Sequence, residues 1–104
     1  MLAACSASAD VSRELGALCE DRGECDDRCL VGARYPGGFC SVSCDGESDC
    51  PGGSSCTGLE GGVCLFACSE AAECDFLGTG WSCRPEPARG GSGGEQVMVC
   101  AGPG

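Results

Sequence analysis

The sequence predicts a small disulfide-rich protein: three tandem four-cysteine repeats with short β-hairpins, little regular secondary structure and a short N-terminal helix. First, the 104 residues include 13 cysteines, above the roughly 8–10% that marks a disulfide scaffold. Second, twelve of them form three blocks, with a first gap of five residues and a step of three residues between blocks. Third, Leu, Val and Phe total only 16 residues and Ile is absent, so burial needs covalent support.

The spacing of the blocks predicts the organisation of the chain, because constant gaps indicate shared geometry and variable gaps indicate loops. Residues 1–18 are expected to be a signal remnant and tether. The repeats that follow are residues 19–43, residues 44–67 and residues 68–104, and the last has an extended Gly-rich hairpin.

A hairpin is predicted after the third cysteine of each block, where a Gly-containing turn separates two short segments. The turns are residues 35–38, 60–62 and 89–94. The returning strands are Phe39–Ser43, Val63–Ala67 and Gln96–Val99.

Disulfide bonds are preferred over metal–thiolate sites for these cysteines. Zinc and iron–sulfur sites usually use a C-x2-C turn, and this chain has neither that spacing nor any His. A four-cysteine block allows three pairings. Pairing first with third and second with fourth ties the acidic turn to the hairpin, whereas pairing neighbours leaves the hairpin free. The preferred bonds are Cys19–Cys29, Cys25–Cys40, Cys44–Cys56, Cys50–Cys64, Cys68–Cys83 and Cys74–Cys100.

The thirteenth cysteine is explained by a short motif at the start of the sequence. The run Leu2-Ala3-Ala4-Cys5 resembles the bacterial lipobox, in which small residues precede a lipidated cysteine. The resemblance implies a membrane anchor through a lipid on Cys5, and Ser6 is compatible with delivery to the outer membrane. The alternatives are an unpaired tail thiol and an intermolecular bond. Because disulfides persist in oxidising compartments, the expected location is extracytoplasmic, as an outer-membrane-anchored lipoprotein or a secreted protein.

Residues 6–18 contain no cysteine and begin with small polar residues, as a tether would. Asp10 is placed to cap a short helix that carries Val11, Leu15 and Leu18 on one face. So short a helix is stable only if it packs on the first block.

Composition argues against catalysis and nucleic-acid binding. The chain has no His and no Lys, so Ser–His, Cys–His, Ser–Lys and Schiff-base mechanisms lack a partner. A carboxylate pair would need a cleft that so small a core can hardly build. Six Arg against sixteen acids, with a net charge of −10, repel phosphate backbones. We therefore expect a non-enzymatic chain with no cofactor and no nucleic-acid partner.

The acidic turns between the first and second cysteines have two interpretations. Asp45, Glu47 and Asp49 place oxygens at alternate positions, as calcium loops do, but the sixth-position Gly and twelfth-position Glu of an EF-hand are missing. The alternative is a solvated face that keeps the protein soluble. No other metal site is predicted.

The aromatic residues also have two interpretations. They form either a recognition patch or, in a chain so short of apolar groups, a cover packed over the disulfides. They are Tyr35, Phe39, Phe66, Phe76 and Trp81.

The run P-G-G-F-C-x3-C-x5-C-P-x-G-x-x-C, which ends at Cys56, is followed by G-V-C-x3-C-x5-C and G-x-G-W-x-C. Residues 16–101 thereby resemble the Cys-rich repeat segments of secreted and lipid-anchored proteins of GC-rich Gram-negative bacteria. The resemblance implies an architecture and almost no function. A weaker resemblance, through Asp49-Cys50-Pro51-Gly52, is to whey-acidic-protein-type protease inhibitors, whose adjacent Cys-Cys pair is lacking.

The expected function is a cell-surface module for binding, adhesion or envelope spacing. Its partner would be a protein or glycan at the cell surface that the sequence does not name, and its membrane contact would be the lipid on Cys5 only. The alternative is a secreted protease inhibitor, with candidate loops at Arg34 and Arg84–Arg89.

Overall fold

The computed structural model describes residues 11–89 and 95–103, apart from the side chain of Glu47. The described strands pair two by two into three antiparallel hairpins, one in each block. The strands are β1 (Arg28–Leu30), β2 (Phe39–Ser41), β3 (Ser54–Thr57), β4 (Val63–Phe66), β5 (Ser82–Pro87) and β6 (Gln96–Ala101). The predicted returning strands correspond to β2, β4 and β6, and the Gly-rich run 90–94 lies outside the described residues.

Short 3₁₀ helices make up the rest of the regular structure in the described residues. Three of them begin between the first and second cysteines of a block, and the fourth lies in the turn of the second hairpin. They are Arg22–Glu24, Glu47–Asp49, Leu59–Gly61 and Ala71–Leu77. The prediction of a small disulfide-rich fold with short hairpins is confirmed.

In every hairpin the third and fourth cysteines of the block face each other, and each bonds to a cysteine of the preceding acidic loop. The facing pairs are Cys29 with Cys40, Cys56 with Cys64, and Cys83 with Cys100. The six disulfides are Cys19–Cys29, Cys25–Cys40, Cys44–Cys56, Cys50–Cys64, Cys68–Cys83 and Cys74–Cys100. This is the connectivity that was preferred from the sequence, and it clamps each acidic loop onto its hairpin.

The predicted N-terminal helix is wrong for the part that the structure describes, because residues 11–18 form a turn. The Ser12 hydroxyl accepts the backbone N–H of Leu15 at 3.2 Å, and the N–H of Gly16 donates to the carbonyl of Cys40 at 2.8 Å. A serine side chain competes with helical hydrogen bonds in this way. Gly16 also has a φ of +103°, which is incompatible with a continuing helix.

The expected apolar face of that helix is therefore not formed. Leu15 is buried in the core, while Val11 and Leu18 are largely exposed. The proposed cap, Asp10, lies outside the described residues.

Backbone bridges join the three hairpins to one another. Ser43 pairs with Val63, and Ala67 pairs with Val99. In addition, the N–H of Cys68 donates to the carbonyl of Met98 at 3.0 Å. The repeats therefore meet through hydrogen bonds as well as through side chains.

A single aromatic cluster takes one ring from each block. Phe39 of the first block is fully buried. Its ring centroid lies 5.8 Å from that of Phe66 in the second block and 5.3 Å from that of Trp81 in the third. Because these rings belong to one continuous cluster of buried residues, the three repeats share a core.

Candidate functional site

A carboxylate closes the loop between the first and second cysteines in every block. The residue before the second cysteine is always acidic, and it accepts the backbone N–H of the residue that follows the first cysteine. The three bonds are Glu20 N to Glu24 Oε1 at 2.5 Å, Asp45 N to Asp49 Oδ2 at 2.8 Å, and Ser69 N to Glu73 Oε1 at 2.5 Å.

This arrangement resembles the capping of a helix N-terminus, where a side-chain oxygen satisfies an otherwise unpaired backbone donor. The backbone N–H groups of Ser69 and Glu70 hold the pKa of the Glu73 carboxyl below its usual value, because hydrogen bonds to a carboxylate favour its charged form. Sequence reasoning missed this role. The sequence feature that could have indicated this role is the acidic residue directly before the second cysteine of each block.

The calcium candidates are engaged within the protein. Asp49 accepts the N–H of Asp45, and Asp45 Oδ1 lies 3.3 Å from Arg89 Nη2. The side chain of Glu47 lies outside the described residues. One oxygen of each of the Asp45 and Asp49 carboxylates therefore already has a partner within the protein. Calcium binding stays a prediction, which a calcium-specific rise in melting temperature at constant ionic strength would reveal.

Each block contains a group of three cysteines whose sulfur atoms lie within 4.8 Å of one another. Every cysteine in these groups is disulfide-bonded, and disulfide sulfurs do not supply the thiolate that zinc and iron–sulfur sites need. The groups are therefore the cores of the disulfide clamps. Cys5, the predicted lipidation site, lies outside the described residues.

Two arginines of the proposed inhibitor loops, Arg34 and Arg84, form ion pairs with Glu86. Arg34 Nη1 lies 2.9 Å from Oε2 of Glu86, whose side chain is only 8% exposed, and Arg84 Nε lies 3.9 Å from the same oxygen. Arg84 belongs to β5 and is not in a projecting loop. Inhibitors of the expected kind need a protruding side chain, so these contacts do not favour the inhibitor interpretation.

Four of the five aromatic residues are buried, which confirms the packing interpretation for Tyr35, Phe39, Phe66 and Trp81. The Tyr35 hydroxyl donates to Glu60 Oε2 at 3.2 Å. Burial, together with the neighbouring Glu60 carboxylate, raises the pKa of Tyr35 well above its usual range. The indole Nε1 of Trp81 donates to the carbonyl of Pro36 at 3.0 Å.

Phe76 is the exception among the aromatic residues. It is 39% exposed, and its inner side packs on Phe66 with a centroid distance of 5.3 Å. A single exposed ring is common on protein surfaces and does not mark a recognition site.

No protein-family model, curated protein or solved structure matches this chain. Among the described residues, no helix is long and apolar enough to span a membrane.

Proposed function

We propose that the chain is a non-enzymatic cell-surface module for binding, adhesion or envelope spacing, either secreted or held at the outer membrane by a lipid on Cys5. The observation that carries this proposal is the set of six disulfides, which includes all twelve cysteines of the described residues. Such bonds persist in oxidising, extracytoplasmic compartments.

The residue types present and the partners of the carboxylates favour a binding role over catalysis. The sequence has no His and no Lys, so the common nucleophile–base pairs are lacking. Glu24, Asp49 and Glu73 cap backbone groups, and the buried Glu86 is paired with Arg34. These carboxylates have structural partners that account for them.

The anchor is tested by expressing the chain with an upstream export signal and separating membrane from soluble fractions. We expect the native chain in the membrane fraction, labelled by radioactive palmitate. Cys5→Ser should move the protein to the soluble fraction with its hairpins intact, while the matched Ser6→Ala control stays with the membrane. Equal solubility of the native and Cys5→Ser proteins would refute the anchor and leave the secreted form.

The compartment is tested by thiol trapping in intact cells with a maleimide that adds visible mass. We expect the twelve cysteines from Cys19 to Cys100 to resist the reagent until a reductant is added. Cysteines that react without reduction would contradict the extracytoplasmic proposal itself.

The protease-inhibitor alternative is tested by adding the oxidised chain in excess to trypsin. We expect no inhibition, because Arg34 is tied to Glu86 and does not project as a free side chain. Stoichiometric inhibition that is lost in Arg34→Ala would establish the alternative.

A further inference from the structure

The arginines of this acidic chain are not all neutralised by carboxylates. Arg13 is paired with Asp26, Arg34 and Arg84 share Glu86, and Arg89 is paired with Asp45. The two that remain are Arg22 and Arg28, which form no ion pair with the carboxylates that the structure describes. The sequence has sixteen acids and six arginines, so these two are the arginines whose charge no described carboxylate within ion-pair distance offsets.

Both unpaired arginines line the same open cleft in the first block. The cleft has a volume of about 360 Å³, and Asp27, Cys29 and Ser43 complete its lining. This volume lies at the lower end of the range of roughly 300–1,000 Å³ for small-molecule sites. A group the size of one sugar ring or one short acid would fit.

Backbone carbonyls hold the two guanidinium groups in place without cancelling their charge. Arg22 Nε donates to the carbonyl of Asp27 at 3.2 Å. Arg28 Nη1 donates to the carbonyl of Glu60 at 3.0 Å, and this bond reaches from the first block into the second. The remaining N–H groups of each guanidinium have no hydrogen-bond partner among the described residues. An arginine fixed through one nitrogen keeps further donors in the planar geometry that suits an oxyanion.

Asp27 is the only acid among the lining residues, so the lining carries two positive charges and one negative charge, a net charge of +1. Its Oδ2 accepts the backbone N–H of Ser43 at 2.9 Å. That bond engages one oxygen of the carboxylate and binds it to the cleft wall.

We propose that this cleft binds one oxyanion group, held between the guanidinium groups of Arg22 and Arg28, on a ligand that is otherwise uncharged. The net charge of −10 repels polyanions at long range, whereas two short charge-assisted hydrogen bonds can still hold a single carboxylate, sulfate or phosphate group. The site goes beyond the proposed function, which names no ligand.

The test titrates purified, oxidised full chain with galacturonate, sulfate and inorganic phosphate at constant ionic strength, with galactose as the uncharged control. Binding is followed by NMR through the side-chain Nε–Hε signals of Arg22 and Arg28. We expect saturable shifts with at least one oxyanion and none with galactose. The oxyanion with the highest affinity identifies the chemical class of the ligand.

Variants then separate the cleft from general charge effects. Arg22→Gln and Arg28→Gln should each weaken binding about tenfold, the usual effect of losing a charge-assisted hydrogen bond. The matched control is Arg13→Gln, an exposed arginine paired with Asp26 outside the cleft lining, and it should leave affinity unchanged. Asp27→Asn removes the opposing charge while keeping an acceptor for Ser43 N–H, so it should strengthen binding several-fold.

The proposal is overturned if no oxyanion gives shifts beyond those of a chloride titration at the same ionic strength, or if Arg13→Gln weakens binding as much as the cleft variants do. It is also overturned if Asp27→Asn leaves the affinity of the native chain unchanged. Asp27→Asn is expected to raise the affinity for the oxyanion. A folding defect would lower the affinity, so it cannot be mistaken for this result. These measurements use purified protein, so their failure is distinct from failure of the localisation tests.

Discussion

Replacing Phe39 tests whether the three repeats form one cooperative unit. Phe39 lies in the first block and is fully buried, and its ring contacts Phe66 of the second block and Trp81 of the third. Phe39→Ala removes a ring that touches both of the other blocks. If the repeats share a core, damage in the first block must destabilise the third.

The expected size of the effect follows from burial. Truncating a buried Phe to Ala typically costs about 3–5 kcal/mol, and edge-on or tilted ring pairs add about 0.5–1.5 kcal/mol each to the area term. We expect a loss of about 4 kcal/mol in the free energy of unfolding with all disulfides intact, a large part of the roughly 5–15 kcal/mol available to a domain. Phe76→Ala, at a ring that is 39% exposed, should cost about 1 kcal/mol.

The assay is guanidinium unfolding of the oxidised protein, followed by the fluorescence of Trp81, the one tryptophan of the chain. Because this reporter belongs to the third block, Phe39→Ala should lower its transition midpoint even though the substitution is in the first block. Far-UV circular dichroism should give the same midpoint, as a two-state transition requires.

If the Trp81 transition stays at its native midpoint in Phe39→Ala, the repeats do not unfold as one cooperative unit. A loss no larger than that of Phe76→Ala would equally contradict a shared core. Either result would mean that each repeat is stabilised by its own disulfides, independently of the shared cluster.

Three further substitutions, with Gly52→Ala as the control for the first, test the contacts that shape the blocks. A Cβ on Gly38 would lie 1.8 Å from a backbone carbonyl oxygen at a φ of +85°, so Gly38→Ala should cost roughly 3 kcal/mol or more of stability. Gly52→Ala, which meets open space, should leave the melting temperature unchanged. Glu86→Gln leaves Arg34 without its buried partner and should cost about 2 kcal/mol in denaturant unfolding, less than for a fully buried pair because Arg34 is partly exposed. The lowered pKa of Glu73 means that its stabilising contribution is complete above the unfolded pKa of about 4.3 and is lost as pH falls through the lower folded pKa. Glu73→Gln should therefore flatten the acid limb of stability against pH, and an unchanged acid limb would contradict that role.

The cysteine blocks together with the Gly-containing turns predicted the three hairpins. The spacing left three pairings open in each block, and the pairing that ties the acidic turn to the hairpin is the one found in the structure. The reason is that a five-residue loop and a hairpin bring the four sulfurs of a block within bonding reach. The cysteines of each bond are accordingly only 10 to 26 positions apart in the sequence. The Gly-containing turns likewise predicted where β2, β4 and β6 begin. The high cysteine content by itself indicated an oxidising, extracytoplasmic environment, and the lack of His and Lys is likewise read directly from the sequence.

Only the tertiary structure decided which side chains meet across blocks. The Arg34–Glu86 bond joins residues 52 positions apart, and the Phe39–Trp81 contact joins the first block to the third across the whole of the second. The same applies to the segment at residues 11–18, where the bond from Gly16 to Cys40 replaces the expected helix. The free energy of these contacts depends on how the hairpins pack against one another. The residue pattern within one hairpin does not specify which side chains of another hairpin it will contact.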